Sequence, residues 1–166
     1  YTAGFTWPGV MCTDDVRTVD YLLTRPDVDP RRIGCVGLSV GGFRSIHLAA
    51  LDERIKAAVA VGWMTSFPHQ IKSHVRWTVG HSMLVPGLYR HLDYPDVAAL
   101  ATPRPLMVVH GSRDTLFAPD GVRAAFDTLE ACWRKAGASE RLALRVHDTP
   151  HEFNRTMQAD AWAWLE

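Results

Sequence analysis

Three short apolar runs constrain the fold of this chain more than any other feature. They are residues 33–39 (IGCVGLS), 55–64 (IKAAVAVGWM) and 105–111 (PLMVVHG). Continuous apolar strands of this kind are typical of parallel sheets that are covered on both faces. A fourth run, residues 141–147 (RLALRVH), alternates between apolar and polar residues, which predicts an edge strand with one face in water.

The segments between these runs have helical or irregular patterns. Residues 40–51 and 119–135 carry apolar side chains at helical spacing. We expect a first helix to begin near Thr13, which can cap it, and a last helix to cover 152–166. Strands that alternate with helices predict an α/β fold with a three-layer, doubly wound, mostly parallel sheet. Residues 65–100 show no clear period and predict a cap-like insertion.

Length and charge narrow the functional classes. A chain of 166 residues suits one domain. Its 18 basic residues balance its 18 acidic residues, so it has no electrostatic signature of binding to nucleic acid or to an anionic membrane. The sequence also lacks an apolar run long enough to span a bilayer. We therefore expect neither nucleic acid nor a membrane as a partner.

The motif Gly37-Leu38-Ser39-Val40-Gly41 lies between the first apolar run and the helical segment that follows it. A serine at such a strand-to-helix corner projects its hydroxyl above the sheet, and the flanking glycines avoid collisions in the tight turn. The backbone N–H of Val40 would then face the oxyanion that forms when Ser39 attacks a carbonyl. The context predicts a nucleophile, whereas the motif alone is also compatible with a plain glycine-rich turn.

A serine nucleophile needs a base, and the base needs a group that orients it. Asp114 follows the third apolar run and His151 follows the fourth. The carboxyl ends of parallel strands meet at one edge of an open α/β sheet, where functional sites gather. The order serine, acid, histidine also agrees with that of one known class of hydrolase. We therefore predict Ser39, His151 and Asp114 as nucleophile, base and acid.

Other acids and histidines compete for these roles. Asp148 is too close to His151 in sequence to lie opposite its ring, and Asp120 is better placed to stabilise a helix N-terminus. His147 lies on the polar face of the predicted edge strand, where we expect it in water. His110 ends a strand and could instead be a packed core residue.

Trp63, Met64 and Phe117 follow strands at the predicted site edge, so they are candidates for the wall of a substrate pocket. Packing in the core under the insertion is an equally strong alternative for Trp63 and Met64.

The sequence predicts neither a metal nor a cofactor. The insertion contains four histidines, His69, His74, His81 and His91. Their spacing does not place a pair on one helical face as in zinc hydrolases. The three cysteines also lack the paired spacing of a zinc cluster.

The segments RPDVDPRRIGCVGLSVGGFRS, PRPLMVVHGSRDTLF and HDTPHEFNRTMQADAWAWL resemble the α/β-hydrolase superfamily. They are similar to the later part of its dienelactone-hydrolase-like and acetyl-xylan-esterase-like branch. Dienelactone hydrolase has cysteine where Ser39 stands, so the resemblance implies a serine esterase that needs no cofactor. It also implies a small-molecule or carbohydrate ester as substrate, with a short acyl group such as acetyl. Prolyl-oligopeptidase-like peptidases share this C-terminal order, which keeps a serine peptidase as an alternative.

The same resemblance indicates that part of the superfamily's sheet is absent from this sequence. The chain supplies only the later strands, beginning with the nucleophile strand, and nothing before Thr13 resembles the loop that carries the second oxyanion donor. We therefore expect residues 1–166 to be the C-terminal part of one α/β-hydrolase domain. N-terminal strands or another chain would complete the sheet. A non-catalytic fragment with an incomplete oxyanion hole is a third alternative.

Overall fold

One parallel sheet organises the part of the chain that the computed structural model describes, which is residues 3–74 and 84–166. Its strands pair in the order β1-β2-β3-β4, and each neighbouring pair is parallel. The strands are β1 (Gly34–Leu38), β2 (Ala57–Val61), β3 (Leu106–Gly111) and β4 (Leu142–His147). The predicted parallel sheet is thereby confirmed.

The helices follow the predicted alternation with the strands. They are α1 (Trp7–Leu22), α2 (Val40–Leu51), α3 (Phe67–Ser73), α4 (Tyr94–Ala99), α5 (Pro119–Lys135) and α6 (Arg155–Leu165). Helix α2 connects β1 to β2, and α5 connects β3 to β4. Helices α3 and α4 lie in the connection from β2 to β3, where the insertion is predicted. Residues 75–83 of that connection lie outside the described residues.

Helices pack on both faces of the sheet, as in a three-layer α/β fold. On one face, side chains of α1, α2, α4 and α5 pack on alternate strand residues such as Ala58 and Val108. On the other face, Met157 and Ala161 of α6 pack on strand residues such as Val109. The burial of β2 and β3 on both faces explains why their sequences are almost continuously apolar.

The first helix begins earlier than the sequence pattern predicts. The cap is Thr6, whose side chain accepts a hydrogen bond from the Gly9 amide at 3.1 Å. Pro8 is accommodated because the first turn of a helix needs no N–H from it. Thr13 instead lies within the helix, where its hydroxyl donates to the Gly9 carbonyl. The prediction of a start at Thr13 was wrong because Pro8 and Gly9 are residues that usually indicate a turn, although here they lie in the first turn of the helix.

Two further expectations at the C-terminal end need correction. Helix α6 starts at Arg155 rather than at 152, because the side chain of Asn154 caps it by accepting from the Met157 amide. Strand β4 does lie at the edge of the described sheet, but the face that was predicted to be exposed to solvent is partly covered. Ala143 on that face is buried under α6, whereas Val146 on the face that was predicted to be buried is 59% exposed.

The turn from β1 into α2 is the most tightly packed backbone crossing near the predicted nucleophile. A Cβ atom on Gly37 would lie 2.2 Å from the backbone carbon of Gly41. Separations this short do not occur between non-bonded carbons, so the two backbone segments can meet only if residue 37 has no side chain.

We predict that Gly37→Ala destabilises the protein by at least about 2 kcal/mol, since the new methyl group has to displace backbone. The matched control is Gly41→Ala, because a Cβ at Gly41 meets nothing within 4 Å. We expect its free energy of unfolding to stay within about 1 kcal/mol of wild type. Urea unfolding of the three proteins measures both values, and equal stabilities for the two variants would contradict the close approach at residue 37.

Candidate active site

Ser39 occupies the corner between β1 and α2. Its φ of 58° and ψ of −118° lie in a region that residues with side chains rarely adopt. Among residues 3–74 and 84–166, Ser39 is the one non-glycine residue with a positive φ. Such a conformation costs about 1–3 kcal/mol and persists where the surroundings enforce it. The backbone strain distinguishes this corner from an ordinary glycine-rich turn.

The neighbouring strand holds the corner in place. The Ser39 amide donates to the Val61 carbonyl at 2.8 Å, which extends the β1–β2 ladder into the turn. Val40 is the first residue of α2, and a helix leaves its first amides without intrahelical acceptors. These amides also lie at the positive end of the helix dipole. The N–H of Val40 is therefore suitable for stabilising an oxyanion.

Asp114 and His151 form a short hydrogen bond. The Nδ1 atom of His151 lies 2.7 Å from Oδ2 of Asp114, and the acid side chain is fully buried while that of His151 is 23% exposed. The other carboxylate oxygen of Asp114 accepts from the Leu116 amide at 2.9 Å. Since an Asp114 carboxylate accepts here, Nδ1 carries the proton. Nε2 of His151 is then free to accept one.

Burial raises the pKa of Asp114, but the hydrogen bonds from His151 and from the Leu116 amide outweigh burial and lower it below the usual aspartate value. Asp114 is therefore ionised at neutral pH and can stabilise a protonated imidazole next to it.

Gly62 brings His151 to the end of β2, close to the serine corner. This glycine has φ +56°, and a Cβ on it would lie 2.9 Å from Cε1 of the His151 ring. The residue before it is Val61, whose carbonyl binds the Ser39 amide. The three predicted residues thus meet at the carboxyl edge of the sheet. Asp114 and His151 are hydrogen-bonded, whereas no Ser39–His151 hydrogen bond forms between these described residues. In unliganded enzymes this bond is often long or poorly aligned.

The competing residues have other partners. Asp148 is 85% exposed and pairs with Arg113, so it does not face His151. Asp120 lies in the first turn of α5, as expected. His147 is only 18% exposed and contacts Asp160, which differs from the expected solvated position.

His110 is a packed core residue whose ring lies 6.0 Å from that of Phe117. Burial lowers the pKa of His110, which favours its neutral form.

The three pocket candidates all lie in the core. Trp63, Met64 and Phe117 are 1%, 0% and 2% exposed. The indole of Trp63 packs edge-on against the rings of Phe43 and Phe117 at 5.3 and 5.5 Å. This packing favours the core alternative for Trp63 and Met64. The ring of Phe117 lies 6.3 Å from that of His151, which leaves it the best placed of the three to influence the site.

The described residues hold no group of three or more histidine, cysteine or acidic side chains arranged to bind a metal ion. His81, one of the four histidines of the insertion, lies outside them. Within residues 3–74 and 84–166, no helix combines the length and the apolar character needed to cross a bilayer.

Comparison with protein families assigns the chain to a family. The model described as "Prolyl oligopeptidase family" matches residues 3–166. The chain belongs to this family. The match confirms the superfamily recognised from the sequence, because prolyl oligopeptidases are α/β hydrolases. Peptidases of this type are the alternative that the resemblance left open in the sequence analysis.

Of two individual relatives, one is named as a hydrolase and the other as a peptidase. The Bacillus subtilis (strain 168) protein "Putative hydrolase YtaP" is 33% identical over 132 residues, which is 80% of this chain and 44% of that protein. "Uncharacterized peptidase YuxL" of the same organism is 29% identical over 154 residues, covering 86% of this chain and 22% of that protein. The chain thus spans less than half the length of these two curated relatives.

A solved structure shows the same fold. The CE15 glucuronoyl esterase from Caldicellulosiruptor kristjansonii superposes with a TM-score of 0.77 at 16% sequence identity. The superposition covers 93% of this chain and 48% of that chain. At this identity the likeness establishes the α/β-hydrolase fold alone.

Sequence reasoning missed two residues that shape the site. Gly62 supports the His151 ring, and Gln70 of α3 contacts the loop that carries Asp114. A signal for Gly62 was present, since it directly follows a buried strand at the predicted site edge. No comparable signal marked Gln70, because its role depends on how the insertion folds back.

We predict that Asp114 contributes stability that depends on pH. A carboxylate whose pKa is lowered by folding stabilises the native state above the unfolded pKa of about 4. That contribution is lost as the pH falls through the lower native pKa. Asp114→Asn should therefore be less stable than wild type at pH 7, and the difference should shrink below about pH 4.

Urea unfolding from pH 7 to pH 3 tests this expectation. Asp148→Asn is the control, because its exposed ion pair should contribute no more than about 1 kcal/mol. A stability difference between wild type and Asp114→Asn that is constant over the whole range would contradict the prediction.

Proposed function

We propose that Ser39, His151 and Asp114 act together as the triad of a serine hydrolase that cleaves carboxylic esters. The observation that carries the proposal is the strained Ser39 corner next to the 2.7 Å Asp114–His151 pair at one edge of the sheet. Strain in a turn is commonly retained at functional sites, and a buried acid that orients an imidazole has a defined role in acyl transfer.

The mechanism follows from the positions of these groups. The Ser39 hydroxyl attacks the ester carbonyl carbon while Nε2 of His151 takes the hydroxyl proton. The Val40 amide donates to the resulting oxyanion, and Asp114 stabilises the imidazolium. His151 then gives the proton to the leaving alcohol, which leaves an acyl group on Ser39. Water, deprotonated by His151, then attacks that acyl group, the bond between the acyl carbon and the Ser39 oxygen breaks, and His151 returns the proton to that oxygen as the acid is released.

For the substrate class we propose a short-chain ester, including acyl esters of carbohydrates. The names of the structural neighbours, which include glucuronoyl esterases, support a carbohydrate ester as such, and in a glucuronoyl ester the sugar supplies the acyl part. Their identities to this chain are low, so the names suggest substrates to test first.

A serine peptidase is the second candidate. The family match and the relative named as a peptidase favour it. Amide and ester hydrolysis pass through the same kind of tetrahedral intermediate, so the same three residues would serve either reaction.

We further propose that a strand from outside these 166 residues pairs with β1. In the described sheet, β1 has a neighbour on one side only, although its residues 35–38 are half-buried and mostly apolar. Since the Ser39 amide bonds to β2, the alternation along a strand directs the Val36 and Leu38 amides to the open side. A second backbone amide for the oxyanion hole would then come from that added part.

Hydrogen exchange in the natural full-length protein tests the pairing of β1. The amides of Val36 and Leu38 should exchange slowly, as in an interior strand. Rapid exchange at both positions, with slow exchange in β2 as the internal reference, would show that β1 remains an open edge.

We predict that Ser39→Ala lowers hydrolysis of a short-chain p-nitrophenyl ester by about 10³-fold or more in the natural full-length protein. The control is Ser112→Ala, which removes an exposed hydroxyl that donates to Asp148. This variant should keep wild-type turnover. An organophosphonate should label wild type at Ser39, and turnover that survives in Ser39→Ala would exclude the mechanism.

A matched ester and amide of one acyl group separate the two candidate reactions. Cleavage of the ester alone supports the esterase, and comparable cleavage of an oligopeptide amide supports the peptidase. A folded full-length protein that neither reacts with the phosphonate nor turns over either substrate would identify the site as non-catalytic.

A further inference from the structure

A buried glutamine of α3 contacts the loop that carries Asp114. Gln70 is 0% exposed. Its Nε2 donates to the Leu116 carbonyl at 2.8 Å, and its Oε1 accepts from the Ala118 amide at 3.1 Å. The Thr65 hydroxyl also approaches Oε1, at 3.5 Å. One side-chain amide therefore binds two backbone groups that lie just after the acid.

The backbone of Leu116 connects Gln70 to Asp114. Leu116 is held by Gln70 through its carbonyl, and through its amide it donates to Oδ1 of Asp114 at 2.9 Å. The other oxygen of Asp114 accepts from His151. The carbonyl and the amide of Leu116 belong to adjacent peptide groups joined at its Cα, so a carbonyl held by Gln70 restricts the amide that faces Asp114 and thereby the rotation of the carboxylate.

Helix α3 is itself anchored at its start. The Asp93 carboxylate accepts from the Phe67 amide, the first amide of α3, and from the Tyr94 amide, the first amide of α4, each at 2.8 Å. The Ser66 amide donates to the Gly121 carbonyl in α5 at 2.9 Å. Gln70 therefore projects from a segment bound to both α4 and α5, which makes it a rigid support.

We propose that Gln70 is a positioning residue for the triad acid, so that the insertion between β2 and β3 orients Asp114 toward His151. The proposal rests on the function proposed above for its catalytic consequence, although the orientation of Asp114 can be measured without turnover. It assigns the insertion a task in the chemistry in addition to covering the fold.

The expected consequences follow from burial. Without the Gln70 amide, the Leu116 carbonyl and the Ala118 amide lose their partner in a site shielded from water. The loop then relaxes toward other partners, and the Leu116 amide no longer points at Asp114. Displacement of a catalytic group by about 1 Å can lower the rate by about 100-fold.

The test compares Gln70→Met with Trp133→Phe in the natural full-length protein. Methionine keeps the length of glutamine but removes both hydrogen bonds. Trp133 is equally buried, and its Nε1 donates to the Arg104 carbonyl at 3.2 Å, away from the loop that carries Asp114. Both variants should lose stability, by about 1–3 kcal/mol. Assays are run where urea unfolding shows both to be folded.

The kinetic result expected for Gln70→Met is a kcat lower by about 10- to 100-fold with KM little changed. Trp133→Phe should keep the wild-type kcat. If Gln70→Met also keeps it, or if both variants lose kcat equally, the positioning role is overturned.

A second readout is the titration of the Asp114 carboxyl carbon by 13C NMR, with Asp114→Asn used to assign the resonance. In Gln70→Met the pKa of Asp114 should rise from its lowered position, because the Leu116 hydrogen bond is weakened. Trp133→Phe should titrate like wild type. Among residues 3–74 and 84–166, the titratable groups that act on this carboxyl are His151 and His110, and neither is changed in these variants.

The titration separates this inference from the proposed function. If wild type shows no Ser39-dependent turnover and the Asp114 titration still shifts in Gln70→Met, the positioning role is supported and the proposed function fails. If wild type is active and the titration is unchanged, the positioning role fails and the proposed function is unaffected.

Discussion

The carboxyl end of β2 is the point on which the rest of the site depends. There the Val61 carbonyl accepts from the Ser39 amide, and the Gly62 amide donates to the Val109 carbonyl, each at 2.8 Å. The ring of His151 lies directly over Gly62. Two backbone hydrogen bonds and one missing side chain therefore bring the serine corner, the third strand and the histidine loop together. A shift of β2 relative to either neighbour would separate Ser39 from His151.

An aromatic cluster links the elements that carry the site. Trp63 follows β2 and packs edge-on against Phe43 of α2, Tyr94 of α4 and Phe117 of the acid loop. Its Cβ also lies close to Gly42, in the first turn of α2. Interiors packed this closely resist displacement. The aromatic cluster and Gln70 therefore both hold the loop that carries Asp114. The cluster does so by packing, and Gln70 does so by directional hydrogen bonds.

The names of the family and of the structural neighbours suggest different substrates. The family model is that of prolyl oligopeptidases, and the solved structures include glucuronoyl esterases. In either reaction the proposed triad would transfer an acyl group to a serine, so its position at the end of a parallel sheet would not discriminate between them. The residues that contact the acyl group and the leaving group of the substrate would decide which of the two reactions is favoured.

The sequence alone determined the parallel strands, the tight turn at Ser39 and the positions of Asp114 and His151 directly after strands. Each of these is a local pattern: an apolar run, a glycine-flanked serine, or a polar residue directly after a strand. Only the tertiary structure decided that Trp63 and Met64 are core residues, that Gly62 supports His151 and that Gln70 reaches the acid loop. These contacts join residues far apart in the chain. They depend on how the segments after each strand pack together at the edge of the sheet, which no local periodicity records.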